Sequence, residues 1–373
     1  VAALAVVAAV YLLACVALAG WAHGKPVADE RHPVETDDGW LLTLHRYLPA
    51  EGTVRHAVPI VLGHGINMNR TAFELSRRGS LARALAARGH DVFVAEYRGE
   101  PSSRPPLRGD RAGDRWAYDL MDHARYDLPA IIAAAARLGG SDRVSWVGHS
   151  MGGILLYLYI ALHGSDRLHR LVTLGSPVHV GRWPGLLGKL QGVAGRLAER
   201  RPVLRVMPPT YLLLPWIWVY PGFLAWNTNV RHLTRREALA LCTSAFEDVS
   251  SGVVRFFLAM AQQRKDICPA EDEQRDGFEV GGLARLQAPL LVVSGTVDGL
   301  APPRTVELAY HRAGSDDAAY WRVDGFGHCD LISGGPCLET VLPVLAEWLE
   351  GSIATIRNPT LQRIGGEDRR IAS

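Results

Sequence analysis

Six short and almost unbroken apolar runs, at residues 58–62, 92–95, 144–147, 171–174, 290–293 and 320–323, constrain the fold of this chain more than any other feature. Each is only four or five residues long, too short for a buried helix. A strand with one face in water alternates polar and apolar side chains, so a run that is apolar throughout needs cover on both faces. Helix-sized segments separate the runs. Together they predict an α/β architecture, a mostly parallel and doubly wound sheet with helices on either side. An antiparallel hairpin precedes it: a strand ending at Thr36, a turn at Asp37-Asp38-Gly39, then Leu42, Leu44 and Arg46 alternating with Thr43, His45 and Tyr47. The helices are punctuated by Asp127 as an expected N-cap with Pro129 behind it, by Gly139-Gly140 as a stop, and by Pro302-Pro303 as a start. A final helix presents Val341, Leu345, Trp348 and Leu349 as one stripe.

The runs are not evenly spaced. Residues 178–286 lie between two expected strands and are far too many for a loop, so they are read as an inserted helical cap. This insert is rich in aromatic residues: Trp183, Trp216, Trp218, Tyr220, Phe223 and Trp226. They serve either as the cap's own packed core or as a lid that lines an acyl pocket or touches lipid, and one element can do both. The expected division is a leading apolar segment at 1–24, a core at 32–177, the cap at 178–286, the rest of the core at 287–351 and a polar, loosely ordered tail at 352–373.

Residues 1–22 carry no charge. As a helix they are about 33 Å long, one hydrocarbon thickness, and Trp21 followed by His23 and Lys25 suits the interface beyond. Three readings stay open: a transmembrane anchor, a cleaved secretory signal with Ala17-Leu18-Ala19 at its end, or a lipidation box at Leu12-Leu13-Ala14-Cys15. All three make the protein membrane-associated or exported. The net charge of +2 has no long single-sign block behind it, which argues against nucleic acid as a partner. The small cluster Arg196, Arg200, Arg201 and Arg205 reads as a solvated helix end, with anionic lipid contact as the sharper alternative. Cys15, Cys242, Cys268, Cys329 and Cys337 have no metal-type spacing, so no metal is expected.

The chemistry resides at the ends of the runs. Gly148-His149-Ser150-Met151-Gly152 joins an expected strand to an expected helix, which puts Ser150 on a tight turn. A serine hydroxyl is a poor nucleophile at neutral pH, and it needs an imidazole to take its proton and a carboxylate to fix that imidazole. Asp298 follows run 290–293 and His328 follows run 320–323, giving the order Ser, Asp, His. Asp324 and Asp330 are rivals for the acid, the latter very near His328 in sequence. The oxyanion formed on attack requires fixed donors, and the backbone N–H groups of Met151 and of Ile66, in Gly63-His64-Gly65-Ile66, are the candidates.

These motifs, with Thr36-Asp37-Asp38-Gly39-Trp40, Asp91-Val92-Phe93-Val94, Tyr97-Arg98-Gly99 and Gly327-His328-Cys329-Asp330, resemble the α/β-hydrolase superfamily, and within it the acid-lipase-like branch of bacterial hydrolases. The chain departs from that pattern at Arg98-Gly99-Glu100-Pro101-Ser102, where many relatives have Gly-x-Gly-x-Ser. The resemblance implies ester hydrolysis through an acyl-enzyme with no cofactor, Ser150 as nucleophile, His328 as base and Asp298 as acid. Lipid-like acyl esters are the expected substrates. An acyltransferase with the same triad and a non-catalytic, membrane-tethered binding protein are the alternatives.

Overall fold

The computed structural model describes residues 2–23, 27–75, 79–110, 112–181, 185–263, 266–267, 273–275, 278–280, 282–351 and 361–363. A leading helix α1 (Ala2–Ala22) precedes the hairpin β1 (Glu30–Glu35) and β2 (Leu41–Tyr47). Then follow β3 (Ile60–Gly63), α2 (Leu81–Ala86), β4 (Val92–Glu96), α3 (Leu120–Asp122), α4 (Leu128–Gly139), β5 (Val144–His149), α5 (Met151–His163) and β6 (Leu168–Leu174). The insert holds α6 (Gly185–Arg200), α7 (Met207–Val219), α8 (Arg235–Ala240) and α9 (Ser251–Gln263). Two small strand pairs accompany them, β7 (Val203–Leu204) with β8 (Val249–Ser250), and β9 (Glu273–Arg275) with β10 (Phe278–Val280). The core resumes with β11 (Leu290–Gly295), α10 (Pro303–Arg312), β12 (Ala318–Val323), α11 (Leu342–Leu349) and β13 (Leu361–Arg363).

One sheet runs β1-β2-β4-β3-β5-β6-β11-β12-β13. Its centre, from β4 to β12, is parallel, and antiparallel pairs close it at β1/β2, β2/β4 and β12/β13. The apolar runs read as strands because alternate side chains feed two separate cores. Along β11, Leu290 and Val292 join one core with α4, α5 and α10. Leu291 and Val293 join the other with α2 and α11. Each such side chain contributes roughly 1.5–3 kcal/mol on burial, which is why the strand is apolar on both faces from Leu290 to Val293.

Of three local expectations, two change and one holds. Asp127 does not cap α4, since it makes no side-chain cap bond. Its carboxylate is taken instead by Arg98 and His123. Gly140 does end that helix, in the left-handed region at φ 69°. The tail is not loose throughout: residues 361–363 pair with β12 as the sheet's last strand. The expectations for Lys25, Trp183, the Phe223 side chain, Cys268 and the remainder of the tail lie outside the described residues.

The first helix is charge-free and, over Leu4–Ala22, long and apolar enough to cross a membrane. It rests on the cap, where Trp21 meets Trp218 edge to face at 5.2 Å and the Tyr11 hydroxyl donates to the Leu212 carbonyl.

Candidate active site

The turn between β5 and α5 holds Ser150 at φ 52° and ψ −117°, a conformation L-residues avoid at a cost of about 1–3 kcal/mol. Close packing sustains it. A side chain at Gly148 would come within 2.5 Å of the Gly153 nitrogen, and one at Gly152 within 2.1 Å of the Gly63 carbonyl oxygen. The Ser150 N–H donates to the Leu174 carbonyl at 2.9 Å, which anchors the turn to β6. Ser150 is thereby raised on the carboxyl edge of the sheet, where both other predicted partners also emerge.

Asp298 follows β11 and His328 follows β12. His328 Nδ1 lies 2.7 Å from Asp298 Oδ2, with both side chains buried. The other oxygen of Asp298 accepts from the backbone N–H groups of Leu300 at 2.9 Å and Ala301 at 2.7 Å. With one carboxylate oxygen fixed by its own loop, the second is aimed at the ring. That bond holds Nδ1 as the protonated nitrogen and leaves Nε2 to accept. Gly175 gives the pair room, since a Cβ there would meet His328 Nδ1 at 3.0 Å and Asp298 Oδ2 at 3.3 Å.

A cavity of about 350 Å³ is lined by Ser150, His328, Ile66, Leu213, Ile217 and Leu224, among others. Gly65 lies against the nucleophile turn, where a Cβ would sit 3.1 Å from that of Ser150. Ile66 and Met151 share the lining of a second, smaller and more polar space beside it. Met151 is the first residue of α5, where helix geometry leaves N–H groups unpaired. Ser150, Asp298, His328, Ile66 and Met151 are therefore brought to one place.

Sequence reasoning missed the supports behind them. Asp330, weighed only as a rival acid, is fully buried and clamps the His328 loop to the cap. It accepts from Gly327 N, Asn229 N and Thr228 Oγ1, and its second oxygen lies 2.8 Å from His232 Nδ1. The backbone N–H groups of His328 and Cys329 both donate to the Asn227 carbonyl, at 2.8 and 2.9 Å. His149 tilts against His328 with ring centroids 4.6 Å apart, and burial first, then the neighbouring imidazole, pushes it well below its usual range. The departure at Glu100 also gains a physical reason. Glu100 Oε1 lies 2.6 Å from His64 Nε2 in a buried position, with Glu100 pushed well above the carboxylate range and His64 down to about 4, burial being the main cause of each. No sequence signal identified these partners, because residues 64 and 100 meet only through the pairing of β3 with β4.

The buried histidines predict a pH dependence of stability. His64 and His90 are both pushed down to about 4, against about 6.5 in an unfolded chain. The unfolded state then binds more protons between those values, so stability present above pH 6.5 is lost as pH falls toward 4. The slope is about 1.4 kcal/mol per pH unit for each group; Glu100, with its raised pKa, acts in the opposite sense and offsets one of them, while His149, also pushed down, adds a third. Urea midpoints at pH 7.5, 5.5 and 4.5 should fall in that order; a flat series would contradict it.

Among the described residues, His56, His90 and Glu350 form a group that could hold a metal ion, with ligand atoms within 4.8 Å of one another. It lies at the amino edge of the sheet, opposite Ser150. The two imidazoles are stacked 3.9 Å apart and only 12° from parallel, so their lone pairs lie in near-parallel planes instead of converging on one ion.

The family model described as Hydrolase_4, serine aminopeptidase, S33, matches residues 57–332. Lipase member K of Mus musculus is 33% identical over 135 residues, which is 35% of this chain and 34% of that protein. Human gastric triacylglycerol lipase is 27% identical over 172 residues, 44% of this chain and 43% of that protein. The chain thus spans less than half the length of these curated relatives. A soluble variant of monoglyceride lipase from Saccharomyces cerevisiae, solved with a substrate analog, has the same fold, with a TM-score of 0.59 at 16% identity over 88% of this chain and 98% of that one.

Proposed function

The chain belongs to the Hydrolase_4 family, and on that premise we propose that it hydrolyses carboxylic esters of lipid-like acyl chains through a Ser150-His328-Asp298 triad. The observation that carries the reading is the 2.7 Å contact between His328 Nδ1 and Asp298 Oδ2 beside a strained Ser150 turn. Ser150 Oγ attacks the ester carbonyl as its proton passes to His328 Nε2, and Asp298 stays ionised and stabilises the imidazolium. The carbonyl electrons move onto oxygen, and the N–H groups of Ile66 and Met151 donate hydrogen bonds to that oxyanion. Collapse of that intermediate breaks the C–O bond, and His328 returns the proton to the departing alcohol. Water repeats the sequence on the acyl-enzyme and releases the acid.

The lipid-like acyl preference is supported by the cavity. Leu213, Ile217, Leu224 and Phe246 give it apolar walls, and its volume of about 350 Å³ accommodates a chain longer than acetyl. The curated relatives are named as lipases, which agrees with this reading. A fluorophosphonate probe should label the protein at Ser150 in 1:1 stoichiometry, located by peptide mass spectrometry. In p-nitrophenyl ester series kcat/KM should rise at least tenfold from acetyl to octanoyl. An unlabelled Ser150 would overturn the triad, and an acetyl optimum would overturn only the acyl preference.

A further inference from the structure

The peptide between Gly65 and Ile66 has two ends in different surroundings. The Ile66 N–H, in a residue that lines the Ser150 cavity, has no hydrogen-bond partner among the described residues. The Gly65 carbonyl has one, His64 Nδ1 at 3.0 Å. Both groups belong to one planar trans unit and point in opposite directions. A bond that fixes the carbonyl therefore also aims the N–H.

The proton on His64 follows from its neighbours. A carbonyl oxygen only accepts, so Nδ1 carries the proton, and in a neutral ring Nε2 is left with a lone pair that needs a donor. The atom it meets is Glu100 Oε1 at 2.6 Å; the approach is not well aligned, and Nε2 has no other partner. Two bare lone pairs repel at that distance, so a carboxyl proton lies between them. The surroundings agree. Burial, then the Glu96 and Glu247 carboxylates, push Glu100 well above the carboxylate range, while burial pushes His64 down to about 4. Glu100 is set in place by the turn after β4, where its N–H donates to the Tyr97 carbonyl at 3.3 Å and its carbonyl accepts from Ser103 N at 3.0 Å. The other face of the problem is the ring itself, which is fully buried and packs on Tyr97 with centroids 4.6 Å apart.

We propose that Glu100 is a positioning residue for ester hydrolysis: its carboxyl proton fixes the tautomer and tilt of His64, and His64 holds the Gly65–Ile66 peptide with its N–H aimed at the oxyanion. The support grows as charge develops, because a hydrogen bond on the carbonyl of a peptide polarises the N–H of the same peptide. It therefore acts on the transition state and leaves ground-state binding nearly unchanged. The duty of the Ile66 N–H rests on the ester-hydrolase reading; the order of bonds from Glu100 through His64 to Gly65 does not.

Variants of the full chain, assayed in detergent with p-nitrophenyl butyrate, test this. His64→Phe deletes the bond to the Gly65 carbonyl and should lower kcat about 30-fold, with KM within about twofold. It should weaken butylboronic acid, whose adduct with Ser150 places an oxygen among the donors, by a similar factor. Glu100→Leu should lower kcat about tenfold, whereas Glu100→Gln, which keeps a donor for Nε2, should stay within about threefold of the parent. The double variant His64→Phe with Glu100→Leu should be no slower than His64→Phe alone, and as stable to urea as the parent, because it removes both buried polar groups together. A purely structural role gives the reverse, a stable double variant with parental kcat. That result, or a further loss of about tenfold from Glu100→Leu on top of His64→Phe, overturns the proposal. In protein labelled with ¹⁵N-histidine, the His64 signals, identified by their loss in His64→Phe, should show a protonated Nδ1 and a bare Nε2. A proton on Nε2 overturns the order of bonds. A parent that neither hydrolyses the ester nor binds the boronic acid marks failure of the esterase reading, and the histidine signals stand apart from it.

Discussion

Replacement of Ser150 by alanine is expected to reduce kcat for p-nitrophenyl butyrate by about 10⁵–10⁶-fold, with little change in folding stability. The size follows from what is lost and what stays. The proposed Oγ nucleophile goes, and with it the proton that the proposal gives to His328; the proposed backbone donors of Ile66 and Met151 and the apolar cavity remain, so binding persists. Triads of this kind act as a unit, and the residual catalysis of donors and binding alone is about 10³–10⁴ over water. Stability should hold because alanine keeps the backbone at φ 52°, neither relieving nor adding strain. Ser150→Gly gives the internal control. It abolishes the same chemistry but should stabilise the fold by about 1 kcal/mol, since glycine adopts positive φ freely. A Ser150→Ala variant within tenfold of the parent would mean that another group is the nucleophile.

The parallel sheet was readable in sequence because burial of both strand faces imposes an apolar run that few other structures require. The nucleophile turn was readable for a similar reason. Gly148 and Gly152 are demanded by backbone contacts under 3 Å, and steric demands leave a residue-type imprint. Boundaries were less legible: the apolar core of β6 begins at Leu171, but pairing with β5 extends it back to Leu168, across His169 and Arg170. Buried polar partners were not legible at all. Asp127 has the position and type of an N-cap, and nothing in its neighbours reveals that Arg98, 29 residues earlier, takes the carboxylate. Asp330 was judged by its closeness to His328 as an acid, when in the structure it binds four backbone and side-chain groups from the cap and its own loop. Such pairings depend on which loops the sheet order brings together, and a single sequence carries no mark of that.

The largest stability effect outside the triad is expected at Arg98. Its side chain is fully buried, and it bonds both oxygens of Asp38 at 2.9 and 3.0 Å and Asp127 Oδ1 from Nε and Nη2 at 2.9 and 2.6 Å. Burial works against its charge, but Asp127 and Asp38 outweigh that and hold it firmly protonated. Asp127 is equally buried, and there too burial opposes ionisation while Arg98 and then His123 keep the carboxyl below its usual range. Arg98→Ala leaves Asp127 as a buried charge with His123 and the residue-98 backbone N–H beside it but no guanidinium, a type of change that costs about 3–5 kcal/mol. That is a large share of the roughly 5–15 kcal/mol a folded domain has. The sign of its pH dependence follows. Without the guanidinium, burial raises the Asp127 pKa, so acidification neutralises the stranded carboxylate, and the gap between variant and parent should be smaller at pH 4.5 than at pH 7.5. The double change Arg98→Met with Asp127→Leu should cost less than Arg98→Ala alone, because it removes the unpaired charge along with its partner. Urea unfolding in detergent at both pH values measures all three. A loss below about 1 kcal/mol for Arg98→Ala at pH 7.5 would show that solvent or a rearranged neighbour compensates Asp127, and that the turn after β4 is not held by this ion cluster.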